Sequence, residues 1–186
     1  MNETLKTIKS RRSIRRYQPG QIREEELQAI LDAAIAAPTA MFQQKWHFTV
    51  VQKKEILNRI REVARQNMLG SGMDFMVQRA KDPGFSPFHK APTVIIASCR
   101  EDAKFADLDC ALAAQNILLA AESMGIGSCI MTSSELWFNG NAGDELKKEL
   151  GIPDEYRHVC AVTLGYKAEE ELPDRTRETK VVNYIR

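Results

Sequence analysis

Three observations place this 186-residue sequence in the α+β class. Helical and strand-like segments follow one another irregularly, without the strand–helix–strand alternation of a doubly wound parallel sheet. Thr93 to Ser98 (TVIIAS) and Val159 to Leu164 have the β-branched content of buried strands. Between them lies the longest helical stretch, Ala106 to Met124, whose many alanines permit close packing.

The other elements follow from periodicity and punctuation. Leu5 and Ile8 give a first helix, ending near Ser10, one apolar edge. Glu24 to Ala37 is a second helix. Its acidic start complements the N-terminal dipole, Leu27, Ile30, Leu31, Ala34 and Ile35 share a face, and Pro38 stops it. His47 to Gln52 reads as a strand and Lys53 to about Gln66 as a helix. Residues 67–90 hold three glycines, two prolines, three phenylalanines and three methionines with little periodicity. They read as an excursion with short helical pieces, suited to covering a substrate. In the long helix Leu108, Ala111, Leu112, Gln115, Leu118, Leu119 and Glu122 divide into apolar and polar faces, and Gly125 suits the C′ position. A short buried strand at Ser128 to Met131 and a helix at Gly143 to Leu150 come next. The charged tail from Lys167 ends in apolar anchors at Val181, Val182, Tyr184 and Ile185. No repeat or linker divides the chain, so one domain over 1–186 is expected.

Composition narrows the function. Apolar residues make up 44% and charged residues 27%, a globular balance, and the net charge of +1 supplies no bulk field for nucleic acid or anionic lipid. Cys99, Cys110, Cys129 and Cys160 form no C-x-x-C pair, and His47, His89 and His158 lack the spacing of a metal site, so reduced, buried thiols and no metal are expected. The opening stretch lacks the apolar core of a signal peptide and no run reaches the roughly 20 apolar residues of a membrane span, which leads to the expectation of a cytoplasmic protein.

Two motifs carry chemistry. Arg11-Arg12-Ser13-Ile14-Arg15-Arg16 follows a helix, and its guanidinium forks and hydroxyl suit a phosphate; a solvated basic turn is the plain alternative. A nucleic-acid patch would need a longer basic stripe with interleaved aromatics. Ala37-Pro38-Thr39-Ala40-Met41-Phe42-Gln43-Gln44-Lys45-Trp46-His47-Phe48 places paired amides, which donate and accept, before an aromatic strand entry. That pattern suits the edge of a planar heterocycle, and equally a helix-stop loop with Trp46 in the core.

Taken together, R-R-S-x-R, then A-P-[ST]-A-x-x-Q-Q-x-W-H-F about twenty-five residues later, Met124-Gly125-Ile126-Gly127-Ser128-Cys129-Ile130-Met131, Val162-Thr163-Leu164-Gly165-Tyr166 and the pair Arg175 and Arg177 resemble the nitroreductase family of FMN-dependent oxidoreductases, in the family's order and over essentially the full chain. The resemblance implies a central mixed, mainly antiparallel sheet flanked by helices on both faces, and a homodimer with an exchanged C-terminal tail and FMN at the interface. It implies that Arg11, Ser13, Arg175 and Arg177 surround the FMN phosphate, and that Arg12 and Arg15 lie along the ribityl chain and pyrimidine edge, where a cation stabilises the electron-rich reduced ring. Pro38, Thr39, Ala40 and Gln43 would be laid against the flavin by the partner subunit. The backbone around Ile130, Met131, Thr132 and Ser133 would face flavin N5 and O4.

The sequence departs from the family at Phe42, where asparagine is common, at Lys45, where proline is common, and at Thr132 and Ser133, where glycines are common. Phe42, Phe75, Phe85 and Phe88, with Met76, are candidate pocket residues; core or dimer contacts are the alternative. Cys129 reads as a small buried residue behind the flavin rather than a redox thiol, having no cationic neighbour in sequence. The implied reaction is a ping-pong transfer of hydride from NADH or NADPH to a nitroaromatic, quinone or similar acceptor, with the chemistry on FMN. A specialised flavoenzyme of the same fold (dehalogenating, flavin-fragmenting or dehydrogenating) and a flavin-binding module without turnover are the alternatives.

Overall fold

The computed structural model describes residues 1–168, 176–179 and 181–186. Six α-helices are present among them: α1 (Glu3–Ser10), α2 (Glu24–Ile35), α3 (Lys54–Leu69), α4 (Asp74–Lys81), α5 (Ala106–Ser123) and α6 (Gly140–Glu149). Four strands, β1 (Trp46–Val51), β2 (Thr93–Arg100), β3 (Ile126–Met131) and β4 (Tyr156–Tyr166), make one sheet in the order β1-β2-β4-β3. All three pairings are antiparallel. The parallel component is one bridge, Ser13 beside Ser128 on β3.

Alternate residues of β2 explain why TVIIAS is apolar throughout. Ile95, Ala97 and Cys99 face one core with α2 and α5, where Ile30, Ala34, Cys110 and Ile117 are buried. Val94 and Ile96 face a second core built from α3, α4 and the residues after them, including Ile60, Val63, Phe85, Phe88 and Trp137. A sheet covered on both faces loses the apolar/polar alternation of a half-exposed one. All four cysteines are free and buried, as their apolar contexts predict.

Local chemistry fixes the helix ends. On α2, Glu26 accepts from the backbone N–H of Arg23 (2.9 Å), from its guanidinium (2.7 Å) and from the Tyr166 hydroxyl (2.7 Å). Those donors hold its carboxyl at about 2, below the usual carboxylate range. Gly125 takes φ +74° just beyond α5, the left-handed conformation that only glycine adopts without strain. The excursion resolves as expected into pieces: α3 runs on to Leu69, α4 follows, and irregular turns lead to β2.

Three features differ from the sequence reading. The buried face of α5 is Ala106, Asp109, Cys110, Ala113, Ala114, Ile117, Leu118 and Ala121, while Leu108 and Leu112 are exposed. Apolar residues therefore lie on opposite sides of the helix, and periodicity alone could not assign its core side. β4 begins at Tyr156 and α6 at Gly140, both earlier than predicted. A 3-10 turn at Ser133–Trp137 has no periodic signature and buries Trp137 to 1% exposure.

This turn packs tightly. Asn67 of α3 donates to the carbonyls of Leu136 (2.8 Å) and Asn139 (3.0 Å). His158 of β4 stacks on Phe138, with ring centroids 4.8 Å apart. A Cβ at Gly143 would collide with the Phe138 backbone. Gly143→Ala is expected to destabilise the fold by about 1–3 kcal/mol through overpacking, read as a lower urea midpoint. Burial also depresses the His158 imidazole to about 4. The unfolded chain takes up this proton near pH 6.5 and so binds more protons between the two values. The contribution is complete above about pH 6.5 and is lost as pH falls towards 4, roughly 3 kcal/mol in all. Urea unfolding at stepped pH should show this slope, and His158→Phe should remove it.

Candidate active site

The arginine run is fastened to α1 at its start and to the sheet at its middle. Arg11 N–H donates to Thr7 O at 3.0 Å, closing α1, and Ile14 N–H donates to Ser128 O at 2.8 Å beside the Ser13–Ser128 bridge. Beyond the run, the Tyr17 hydroxyl donates to Ile14 O (2.6 Å) and meets Thr163 Oγ1 (2.7 Å). Tyr17 pairs with Lys167, and a Cβ at Gly165 would lie 3.0 Å from the Tyr17 ring, so glycine is what allows this approach. Ile14 is the buried side chain of the run; Arg11, Arg12 and Ser13 are half-buried and Arg15 and Arg16 exposed.

Ser128 stands two residues before Ile130, so the bridge sets the basic run beside the strand that ends at Ile130, Met131, Thr132 and Ser133. Met131 is buried, while Ile130, Thr132 and Ser133 are exposed. The N–H groups of Thr132 and Ser133 donate to no backbone carbonyl among the described residues. They are available to a ligand acceptor.

Next to Ser133 is a cavity of about 100 Å³ lined by Phe75, Met76, Arg79, Phe85 and Trp137 among others. Phe75 is 67% exposed at its rim. Phe85 is only 4% exposed and belongs to the wall, with the Arg65 guanidinium 5.6 Å from its ring centre. Phe88 takes the core alternative. It is 5% exposed and makes an edge contact with Trp137 at 6.3 Å, because an apolar ring beside an open core face buries itself there. Arg79, which no sequence pattern singled out, lines the same cavity. His89 senses the positive charge of both Arg15 and Arg79: burial first, then these two guanidiniums, hold its imidazole below the usual range.

The loop after α2 is built differently. Met41, Phe42 and Gln44 have φ of 52°, 56° and 51°, left-handed values that side chains rarely take. Four hydrogen bonds hold it: Ala40 N–H to the buried Asp109 carboxylate of α5 (3.0 Å), Phe42 N–H to Thr39 O (3.0 Å), Gln43 N–H to Ala40 O (3.2 Å) and Gln44 N–H to Thr39 Oγ1 (3.3 Å). The Thr39 hydroxyl thus accepts a bond within the loop. Phe42 is 82% exposed, and Pro38 and Gln43 are also exposed. The loop is thus tied to α5 through Asp109, whereas the arginine run is tied to α1 and β3. Arg177 is exposed, and Arg175 lies outside the described residues.

These residues suit a planar, anionic cofactor. Guanidiniums and a hydroxyl stand on one side, a pair of available backbone donors ends the adjoining strand, and an apolar cavity opens beyond it. FMN has the matching parts: a phosphate, a ring edge that accepts hydrogen bonds, and a ring face.

A known crystal structure of a nitroreductase with bound FMN from Bacteroides fragilis NCTC 9343 superposes with a TM-score of 0.95, at 32% identity and full coverage of both chains. A nitroreductase with bound FMN from Desulfitobacterium hafniense DCB-2 gives a TM-score of 0.89 at 31% identity, again over the whole of both chains. The NADPH-flavin oxidoreductase of Vibrio harveyi is 28% identical over 184 residues, covering 97% of this chain and 70% of its own length. The model of the nitroreductase family matches residues 8–166, a stretch running from α1 to the end of β4 and including both the arginine run and the Ile130–Ser133 strand end, and the chain belongs to that family.

Proposed function

We propose that this chain is an FMN-dependent oxidoreductase that passes hydride from NADH or NADPH to a small electron-poor acceptor, such as a nitroaromatic or a quinone. The observation that carries the reading is the Ser13–Ser128 bridge, which sets a basic run beside a strand end with unused amide donors. FMN, when bound, supplies the hydride-accepting and hydride-donating chemistry, and the protein supplies position and electrostatics. Arg11 and Ser13, with Arg175 and Arg177 from the tail, hold the phosphate. Arg12 and Arg15 lie toward the ribityl chain and pyrimidine edge, where positive charge favours the reduced, electron-rich ring. The Ile130–Ser133 backbone orients the ring edge, and the cavity beside Ser133 admits flat reactants.

A homodimer completes the site in this reading. Pro38, Thr39, Ala40 and Gln43 reach the flavin of the partner subunit, in keeping with a loop whose Pro38, Phe42 and Gln43 stand exposed on the single chain. Leu108, Leu112, Val181, Val182 and Ile185 are large apolar side chains exposed on the single chain, as expected of a surface that a second copy covers. Among the described residues no helix is long and apolar enough to cross a membrane, which accords with a cytoplasmic enzyme.

The purified protein should be yellow, or become so with FMN, and its visible bands should bleach under anaerobic NADH or NADPH and return on adding a quinone. A preparation that takes up no FMN contradicts the proposal; one that binds FMN without bleaching is a binding module. Arg11→Ala should weaken FMN binding about 10- to 100-fold, the loss of a charge-assisted bond, measured by flavin fluorescence titration.

Phe75 and Phe88 should separate cleanly. Phe75→Ala is expected to change KM for bulky acceptors while FMN stays bound. Phe88→Ala is expected to cost about 3–5 kcal/mol of stability without selectivity among acceptors.

A further inference from the structure

We propose that Ser134 and His158 are positioning residues for the flavin-facing turn, acting through the Met131 carbonyl to aim the Thr132 and Ser133 amides. This rests on the reading above that the turn faces FMN. Ser134 is fully buried; its Oγ donates to Met131 O (2.5 Å) and lies 2.7 Å from His158 Nε2. One hydroxyl has one proton. Since Met131 O can only accept, that proton goes there, and Oγ must accept from Nε2–H. The imidazole is therefore the Nε2–H tautomer, and Nδ1 is a bare acceptor.

Nδ1 is buried and has no partner among the described residues. An orphaned acceptor is costly, and an apolar pair would fill the space without it. What the histidine supplies is a directed donor that fixes the Ser134 hydroxyl in one orientation. Its ring is itself held by the Phe138 stack at 4.8 Å, at the far end of the same turn. The turn is thus gripped at Met131 and at Phe138 by one imidazole, while the two amides between remain free of backbone acceptors. Donors aimed in advance at the place where charge develops are worth more than donors that must reorient.

The test uses the FMN-loaded protein and Ser134→Ala, His158→Phe and His158→Gln. The last keeps a donor at the Nε2 position. Ser134→Ala and His158→Phe should slow flavin reduction by NADH or NADPH about 10-fold, the effect of one lost hydrogen bond, with KM for the nucleotide changed less than about 2-fold. They should also shift the flavin midpoint potential and visible spectrum, and His158→Gln should restore all three. In the protein without FMN, hydrogen exchange at Met131–Ser134 should accelerate in the first two variants and not in α5. Unaltered potential, spectrum, reduction rate and exchange in Ser134→Ala overturn the proposal, as does a His158→Gln variant that folds, binds FMN and behaves like His158→Phe. If the parent protein binds no FMN, the functional reading fails, and exchange alone decides whether the pair locks the turn.

Discussion

The contact between Ser13 and Ser128 is the constraint on which the site depends. It is one parallel bridge at the outer side of β3, yet it settles where four arginines stand relative to the exposed strand end. Ile14 anchors it by burying its side chain, and Gly127 accommodates that side chain, since a Cβ there would lie 2.9 Å from Ile14 Cγ2. A small residue on the strand and a branched one on the arriving segment thereby bring cations to a surface without burying any of them. Burying guanidiniums would be far more costly than seating one isoleucine.

Division of labour between the two cores follows from the two-sided sheet. One face, against α2 and α5, interleaves alanines and three thiols with isoleucines and leucines such as Ile30, Ile95, Ile117 and Leu164. The other holds the larger aromatic rings and sits under the excursion, next to the cavity beside Ser133. The side on which the proposed site lies is thus also the side with bulky, rigid packing, which suits a site that must hold its donors still.

Much of the fold was legible in the sequence. β-branched runs marked the central strands, Pro38 and Gly125 marked helix ends, and Arg11–Arg16 announced a basic turn. The excursion showed itself by losing periodicity. Less visible were features that arise only when distant segments meet. Leu108 and Leu112 share the helical spacing of core residues, and only the position of the sheet shows that they point away from it. Phe88 and Phe75 are both aromatic residues of the excursion, yet Phe88 is buried edge-on to Trp137 while Phe75 stands exposed. Arg79, Ser134 and His158 belong to no motif, and their roles come from pairings such as that between positions 134 and 158. The strained backbone at Met41, Phe42 and Gln44 gave no sign, since none of these is glycine.

The Tyr17–Lys167 bridge has a thermodynamic consequence. It is the seam from which the N-terminal run and the C-terminal tail both depart, about 150 residues apart in sequence. With the site as proposed, an anion gripped from both sides of that seam would act as a removable staple, closing a loop that spans most of the polypeptide without a covalent bond. The ligand's free energy of association then adds to the cohesion of the native state in proportion to the logarithm of its concentration. Resistance to heat and to proteases would then depend on the cell's riboflavin supply as well as on the polypeptide.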